Sequence, residues 1–181
     1  MEALFVIDMQ KGSFKNVKRF NANKVIRNIN TLAQKFRENG HVVIFIQHDG
    51  SMQGDFLPNT EDWEIIDKLV VAKSDVKFSK TANDAFYQTD LNRFLQDQNI
   101  NNIYITGCAT DYCVNATIHS ALTKDYSITV VGDGHTTADR PMVKAKKLVR
   151  FHNWLWADLT PTKGKIVVKY AEEINPTAAS T

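Results

Sequence analysis

The apolar residues of this chain fall into two kinds of pattern. Short continuous runs recur: "ALFVI" from Ala3, "VVIFI" from Val42, "NIYIT" from Asn102, "SITVV" from Ser127 and "KIVVKY" from Lys165. They are rich in β-branched and aromatic residues and too continuous for strands with one wet face, which predicts strands buried on both sides. Between them, apolar residues recur at helical spacing. Val25, Ile29, Leu32 and Phe36 form one stripe, closed by Asn39-Gly40 as a stop signal. Leu91, Phe94 and Leu95 belong to a second helix, Val114, Ile118, Ala121 and Leu122 to a third, and the segment from Met142 to Leu155 to a fourth. The stretch from Asp49 to Lys80 reads as irregular, with "EDWEIIDKL" as a short helix inside it. Strands alternating with helices predict an α/β protein, a three-layer α/β/α sandwich around a mainly parallel, Rossmann-like sheet.

At 181 residues the chain is long enough for one full core, expected over residues 1–175, with 176–181 as a frayed tail. The net charge of +2 gives no electrostatic pull toward nucleic acid or a membrane surface. Cys108 and Cys113 are too few for a disulfide framework and read as free thiols in a reducing compartment. The opening "MEALFVIDMQ" has an acid at position 2 and too short an apolar run for a leader peptide or membrane span. A cytoplasmic setting is expected.

Open parallel sheets bind ligands beyond the carboxyl ends of their strands. Asp8 follows the first run, Gln47, His48 and Asp49 the second, "GCATDYC" the third and "GDGHTTADR" the fourth. Thr110 and Asp111 are good N-cap residues, which puts Cys113 in the first turn of a helix, where the dipole favours a thiolate. The dipole is not sufficient. Making a thiol mostly ionised at neutral pH takes roughly 2.7 kcal/mol, and a helix terminus supplies about 0.3–1 kcal/mol. A base or a cation must help. Asp8, at the mouth of the first strand, is the natural base. Lys80, Lys77 and Lys73 compete as the cation, and spacing does not choose among them. Cys108, at the end of an apolar run, reads as structural.

These segments carry a resemblance. "FVIDMQ", "KTANDAFYQTDL" and "TGCATDYCVNAT", in that order and followed by "VVGDGHTTAD", resemble the isochorismatase-like cysteine hydrolases, a superfamily that also contains nicotinamidases and other carbamoyl or amide hydrolases. The resemblance covers nearly the whole chain and selects Lys80. It implies a triad in which Asp8 takes the thiol proton, Lys80 holds Asp8 and offsets charge, and Cys113 attacks a carbonyl carbon. It further implies an oxyanion hole made by the backbone N–H groups of Ala109 and Cys113, and a cis peptide between Cys108 and Ala109.

One part of the pattern departs from the nicotinamidases, which place several closely spaced histidines near the second strand. Here "IQHDGSMQGDFLPNTEDW" offers His48, Asp49 and Asp55 with no second histidine, so neither a metal nor another cofactor is expected. His48 remains a pocket candidate, with Phe14, Trp63, Phe86 and Tyr112 as apolar walls for a small-molecule substrate. A cysteine nucleophile favours acyl chemistry at a C–N bond over the vinyl ether chemistry of isochorismatase proper. Competing readings are a papain-like pairing of Cys113 with His119 or His135, a nucleotide site at the Gly132–Gly134 "GDG", and a non-catalytic scaffold on the same fold. Phe151, Trp154 and Trp156 crowd one helix end. Some are expected in the core and others at a contact between copies. Members of the family that the chain resembles are often dimers or larger, which implies a homo-oligomer.

Overall fold

A computed structural model describes residues 1–161 and 163–179. Its six strands are β1 (Glu2–Ile7), β2 (Val42–His48), β3 (Val76–Lys80), β4 (Asn102–Cys108), β5 (Ser127–Thr136) and β6 (Ile166–Lys169), and its helices are α1 (Ala22–Glu38), α2 (Leu91–Asp97), α3 (Asn115–Leu122) and α4 (Ala145–Ala157). The strands form one all-parallel sheet in the order β3-β2-β1-β4-β5-β6.

The side-chain period of two builds the layers. Along β1, Ala3, Phe5 and Ile7 point to one face, where Leu91 and Leu95 of α2, Ile118 and Ala121 of α3 and Trp156 of α4 meet them. Leu4 and Val6 point to the other, against Val25, Ile29, Leu32 and Phe36 of α1. Burial on both faces is why the central strands read as continuous apolar runs. The stop after α1 is as expected: Gly40 takes φ +74°, and the N–H of His41 bonds back to the Phe36 carbonyl at 2.9 Å.

Four expectations need correction. First, β3 lies inside the stretch read as irregular. It is an edge strand whose residues alternate in exposure, so it lacks a continuous apolar run. Second, "EDWEIIDKL" forms turns rather than a helix. Its backbone pairs with the loop after β1 instead of with itself: Ile65 bridges Gln10, and the Ile66 N–H donates to the Met9 carbonyl at 3.0 Å. Third, α4 starts at Ala145, later than Met142, because the Asp139 carboxylate accepts the Ala145 N–H at 2.9 Å after a turn closed by Arg140 and Val143. Fourth, the segment expected to fray is tied down as far as described. The Thr177 carbonyl accepts from His41 Nε2 at 2.7 Å and the Ala179 N–H donates to the Asn39 carbonyl at 2.9 Å, while residues 180 and 181 lie outside the described residues.

Candidate active site

The strand order reverses direction between β1 and β4, and the carboxyl ends of these two strands flank that switch point, where open sheets hold their ligands. Asp8 directly follows β1. Its backbone sits at φ +48°, a left-handed conformation that aspartate tolerates better than most residues, and its N–H donates to the Ile46 carbonyl at 2.8 Å. This fixes the carboxylate at the sheet edge. Lys80 ends β3, two strand spacings away, a gap of roughly 10 Å that only a long side chain can bridge.

The lysine crosses it. Lys80 Nζ donates to Asp8 Oδ2 at 2.8 Å, to the Ala82 carbonyl at 2.9 Å and to Cys113 Sγ at 3.4 Å. An ammonium has three protons, and all three have acceptors here. The side chain is buried. Burial works against its charge, but the Asp8 carboxylate and the Cys113 sulfur outweigh it and hold Lys80 above its ordinary value. Lys80 is therefore a fixed positive charge. Asp8 Oδ1 is buried and, among the described residues, has no hydrogen-bond partner. Lys73 and Lys77, its competitors by spacing, are exposed.

Cys113 follows β4 in a segment that does not start as the N-cap signals suggest. Residues Thr110–Val114 form a π-helical turn that leads into α3, and Ala109 occupies the N-cap position. Thr110 and Asp111 do not cap. The Thr110 hydroxyl bonds to His135 Nδ1 at 2.8 Å, and Asp111 pairs with Arg140 and Thr137. In the wide turn the Ala109 carbonyl accepts the N–H groups of Tyr112 and Val114, passing over that of Cys113 between them. The Cys108–Ala109 peptide is cis. Just before it, Gly107 at φ +124° presses on β1: a Cβ there would lie 2.2 Å from the Ile7 carbonyl oxygen. Glycine thus allows the two strand ends to close together.

At rest the sulfur is a neutral thiol. Burial, then the Asp8 carboxylate, push the Cys113 thiol well above its ordinary range, against the pull of Lys80. Its other polar neighbour is Asn83 Oδ1, at 3.5 Å. One ammonium, one carboxylate and one thiol make a site of zero net charge that moves a proton without creating an unpaired buried ion.

Asp8 and Cys113 border a cavity of about 410 Å³ lined also by Ala109, Ser13, Arg19, His48, Asp55, Phe56, Asn83, Cys108, Tyr112 and Arg140, with Lys80 behind them. His48 and Tyr112, the pocket candidates from the sequence, both line this cavity. His48 packs against Phe56, and burial, then Lys80, lower its affinity for a proton, so the ring is neutral at pH 7. Phe14 and Phe86 are corrections. Phe86 is a core residue stacked on Tyr126 with centroids 5.8 Å apart. Phe14 faces a neighbouring groove with Lys11 and Ile26. Trp63 is not a pocket wall either; its carbonyl accepts the side-chain amides of Gln10 and Gln47. Arg19, Asn83, Phe56 and Arg140 escape the sequence reading: Asn83, Phe56 and Arg140 lie inside segments it quotes but carry no role there, and Arg19 lies outside all of them.

His48, Asp49 and Asp55 do not assemble into a ligand set, and Asp49 Oδ1 is held by Ser51. Among the described residues no three His, Cys, Asp or Glu side chains cluster as metal ligands. The papain-like pairing also lacks its geometry. His119 is exposed on α3. His135 is buried, donating from Nε2 to Asn153 Oδ1 at 2.8 Å and accepting from Thr110 at Nδ1. Gly132 and Gly134 lie within β5 and form no phosphate loop.

Residues 2–160 match the Isochorismatase domain. The chain belongs to the isochorismatase family. One relative in this family is the uncharacterized isochorismatase family protein YddQ of Bacillus subtilis (strain 168), 33% identical over 139 residues that cover 75% of this chain and 77% of that protein. The ureidoacrylate amidohydrolase RutB of Caulobacter vibrioides (strain ATCC 19089 / CIP 103742 / CB 15) is 26% identical, and the match covers 91% of this chain and 92% of that protein. The crystal structure of an isochorismatase family protein superposes with a TM-score of 0.85 at 26% identity, over 93% of this chain and 97% of that one. The α/β fold and the standing of this chain as an isochorismatase-family hydrolase follow from these likenesses together.

Proposed function

We propose that this isochorismatase-family hydrolase cleaves a C–N bond of a small amide or carbamoyl compound through a covalent acyl-enzyme on Cys113. The observation that carries this reading is the single ammonium of Lys80, which touches both the Asp8 carboxylate and the Cys113 sulfur at the edge of a ligand-sized cavity. The amidohydrolase activity in the name of RutB supports the same class of bond.

The steps follow from the charges. As Cys113 Sγ bonds to the carbonyl carbon, its proton passes to Asp8, whose Oδ1 has no other partner. The backbone N–H groups of Ala109 and Cys113 receive the developing oxyanion, at about 3–4 kcal/mol for such a donor. Asp8 returns the proton to the departing nitrogen, the C–N bond breaks and a thioester remains. Water then gives a proton to Asp8 and its oxygen to the acyl carbon. The C–S bond breaks, the acid leaves and the proton returns to sulfur. Lys80 keeps its own protons throughout and steadies whichever partner is negative.

A panel of small amides, ureides and carbamoyl compounds, assayed for released ammonia or amine, tests the reading. At least one member is turned over by the wild type, and Cys113→Ala removes that turnover. Turnover that survives Cys113→Ala contradicts it.

A further inference from the structure

The cavity over Cys113 holds two guanidinium groups, and they are not equivalent. Arg140 is neutralised: its Nε donates to Asp111 Oδ2 at 2.8 Å and its Nη2 to Asp111 Oδ1 at 3.1 Å, and the group lies 4.7 Å from the Tyr112 ring centroid. Arg19 has no such partner. Its Nε donates to the Ser13 carbonyl at 2.7 Å and its guanidinium lies 6.0 Å from the Phe14 ring centroid, but among the described residues no carboxylate pairs with it. With Nε committed to Ser13, the two terminal nitrogens keep the paired N–H groups that match a carboxylate.

Among the described residues, none of the other charges of the cavity forms an ion pair with this cation. Asp8 is paired with Lys80. His48 is neutral. Asp55 stands beside His48, whereas Arg19 and Arg140 stand beside Cys108. Arg19 and Arg140 thus lie toward Cys108 and Asp55 toward His48, and all of them line the space that Cys113 also borders.

We propose that Arg19 is the specificity residue that receives a carboxylate of the substrate, so that the bond attacked by Cys113 belongs to a small amide that also bears an acid group. This rests on the hydrolase reading above and narrows its substrate class. An arginine fork grips a carboxylate through two parallel hydrogen bonds, which fixes orientation as well as charge. A neutral amide of the same size leaves the fork without a partner.

Iodoacetate and iodoacetamide differ only in carboxylate against carboxamide, and both alkylate a thiol without hydrolysis. The ratio of their rates at Cys113, read by mass spectrometry on the intact protein, measures the anchor. The expected result is a fall in the iodoacetate-to-iodoacetamide ratio of about tenfold or more in Arg19→Gln. Arg19→Lys, which keeps the charge without the fork, falls less. Lys18→Gln, which removes a neighbouring charge outside this cavity, keeps the wild-type ratio. In the wild type alone, succinamate protects Cys113 from iodoacetamide at a concentration about tenfold or more below that of succinamide. An unchanged ratio in Arg19→Gln, an equal fall in Lys18→Gln, or equal protection by the two amides overturns the proposal. If an acyl-enzyme forms but the ratio does not move, the anchor alone fails. If the ratio moves and no acyl-enzyme ever forms, the hydrolase reading alone fails.

Discussion

The two cysteines stand five positions apart on one strand–turn–helix, yet they differ in everything that decides reactivity. Cys108 closes β4 on the side of the sheet that α1 covers. It is buried, its sulfur has no hydrogen-bonding partner among the described residues, and burial pushes its thiol up to about 12. Cys113 lies on the opposite face, one π-helical turn later, where Lys80 and Asn83 reach its sulfur and Asp8 stands beside it. Burial raises both thiols, but only Cys113 has a charged acceptor waiting for its proton. In the reading proposed above, a base and a cation held by two other strands, more than a helix dipole, activate this cysteine.

The largest effect that sharpens this contrast comes from Asp8→Asn. The variant loses the proton acceptor, so hydrolysis falls by about 10²–10⁴-fold. Removing the carboxylate also removes one of the two influences that raise the Cys113 thiol, while Lys80 remains. The pH profile of Cys113 alkylation by iodoacetamide therefore moves to lower pH in Asp8→Asn, whereas the wild-type rate keeps rising through alkaline pH. Cys108 stays unmodified in both until the protein unfolds. An alkylation profile that does not shift, or that moves to higher pH, breaks the contrast.

A smaller effect is expected from Lys80→Met. It leaves the Asp8 carboxylate buried without its ion pair, and breaking one side of a buried pair costs about 3–5 kcal/mol. Urea unfolding of the variant reads this loss directly. A loss below about 1 kcal/mol would mean that water, not Lys80, satisfies Asp8.

The sequence carries the sheet and the first and third members of the proposed triad through local signals. The β1 and β4 runs are continuous because both faces are covered, and Asp8 and Cys113 sit directly beyond them. Lys80 is different. It ends an edge strand with alternating exposure, so neither the strand nor the choice of Lys80 over Lys73 and Lys77 is visible in hydrophobic periodicity; the motif resemblance supplies it. Thr110 and Asp111 have the chemistry of caps, but His135 and Arg140, both distant in sequence, offer them stronger partners. Phe14 and Phe86 show the limit of residue type. An aromatic side chain beside a motif packs wherever its face of the element points, and for Phe86 that is the core. Arg19 is silent for a related reason: its role depends on which carboxylates fail to reach it, a property of the whole cavity.

The most direct measurement is intact-protein mass spectrometry on acid-quenched samples during turnover of a hydrolysed amide. The account predicts an added mass equal to the acyl half of that amide, located on the peptide that holds Cys113, absent from Cys113→Ala and decaying as the acid product appears. Turnover with no adduct on sulfur at any quench time, or an adduct mapped to Cys108, would contradict it.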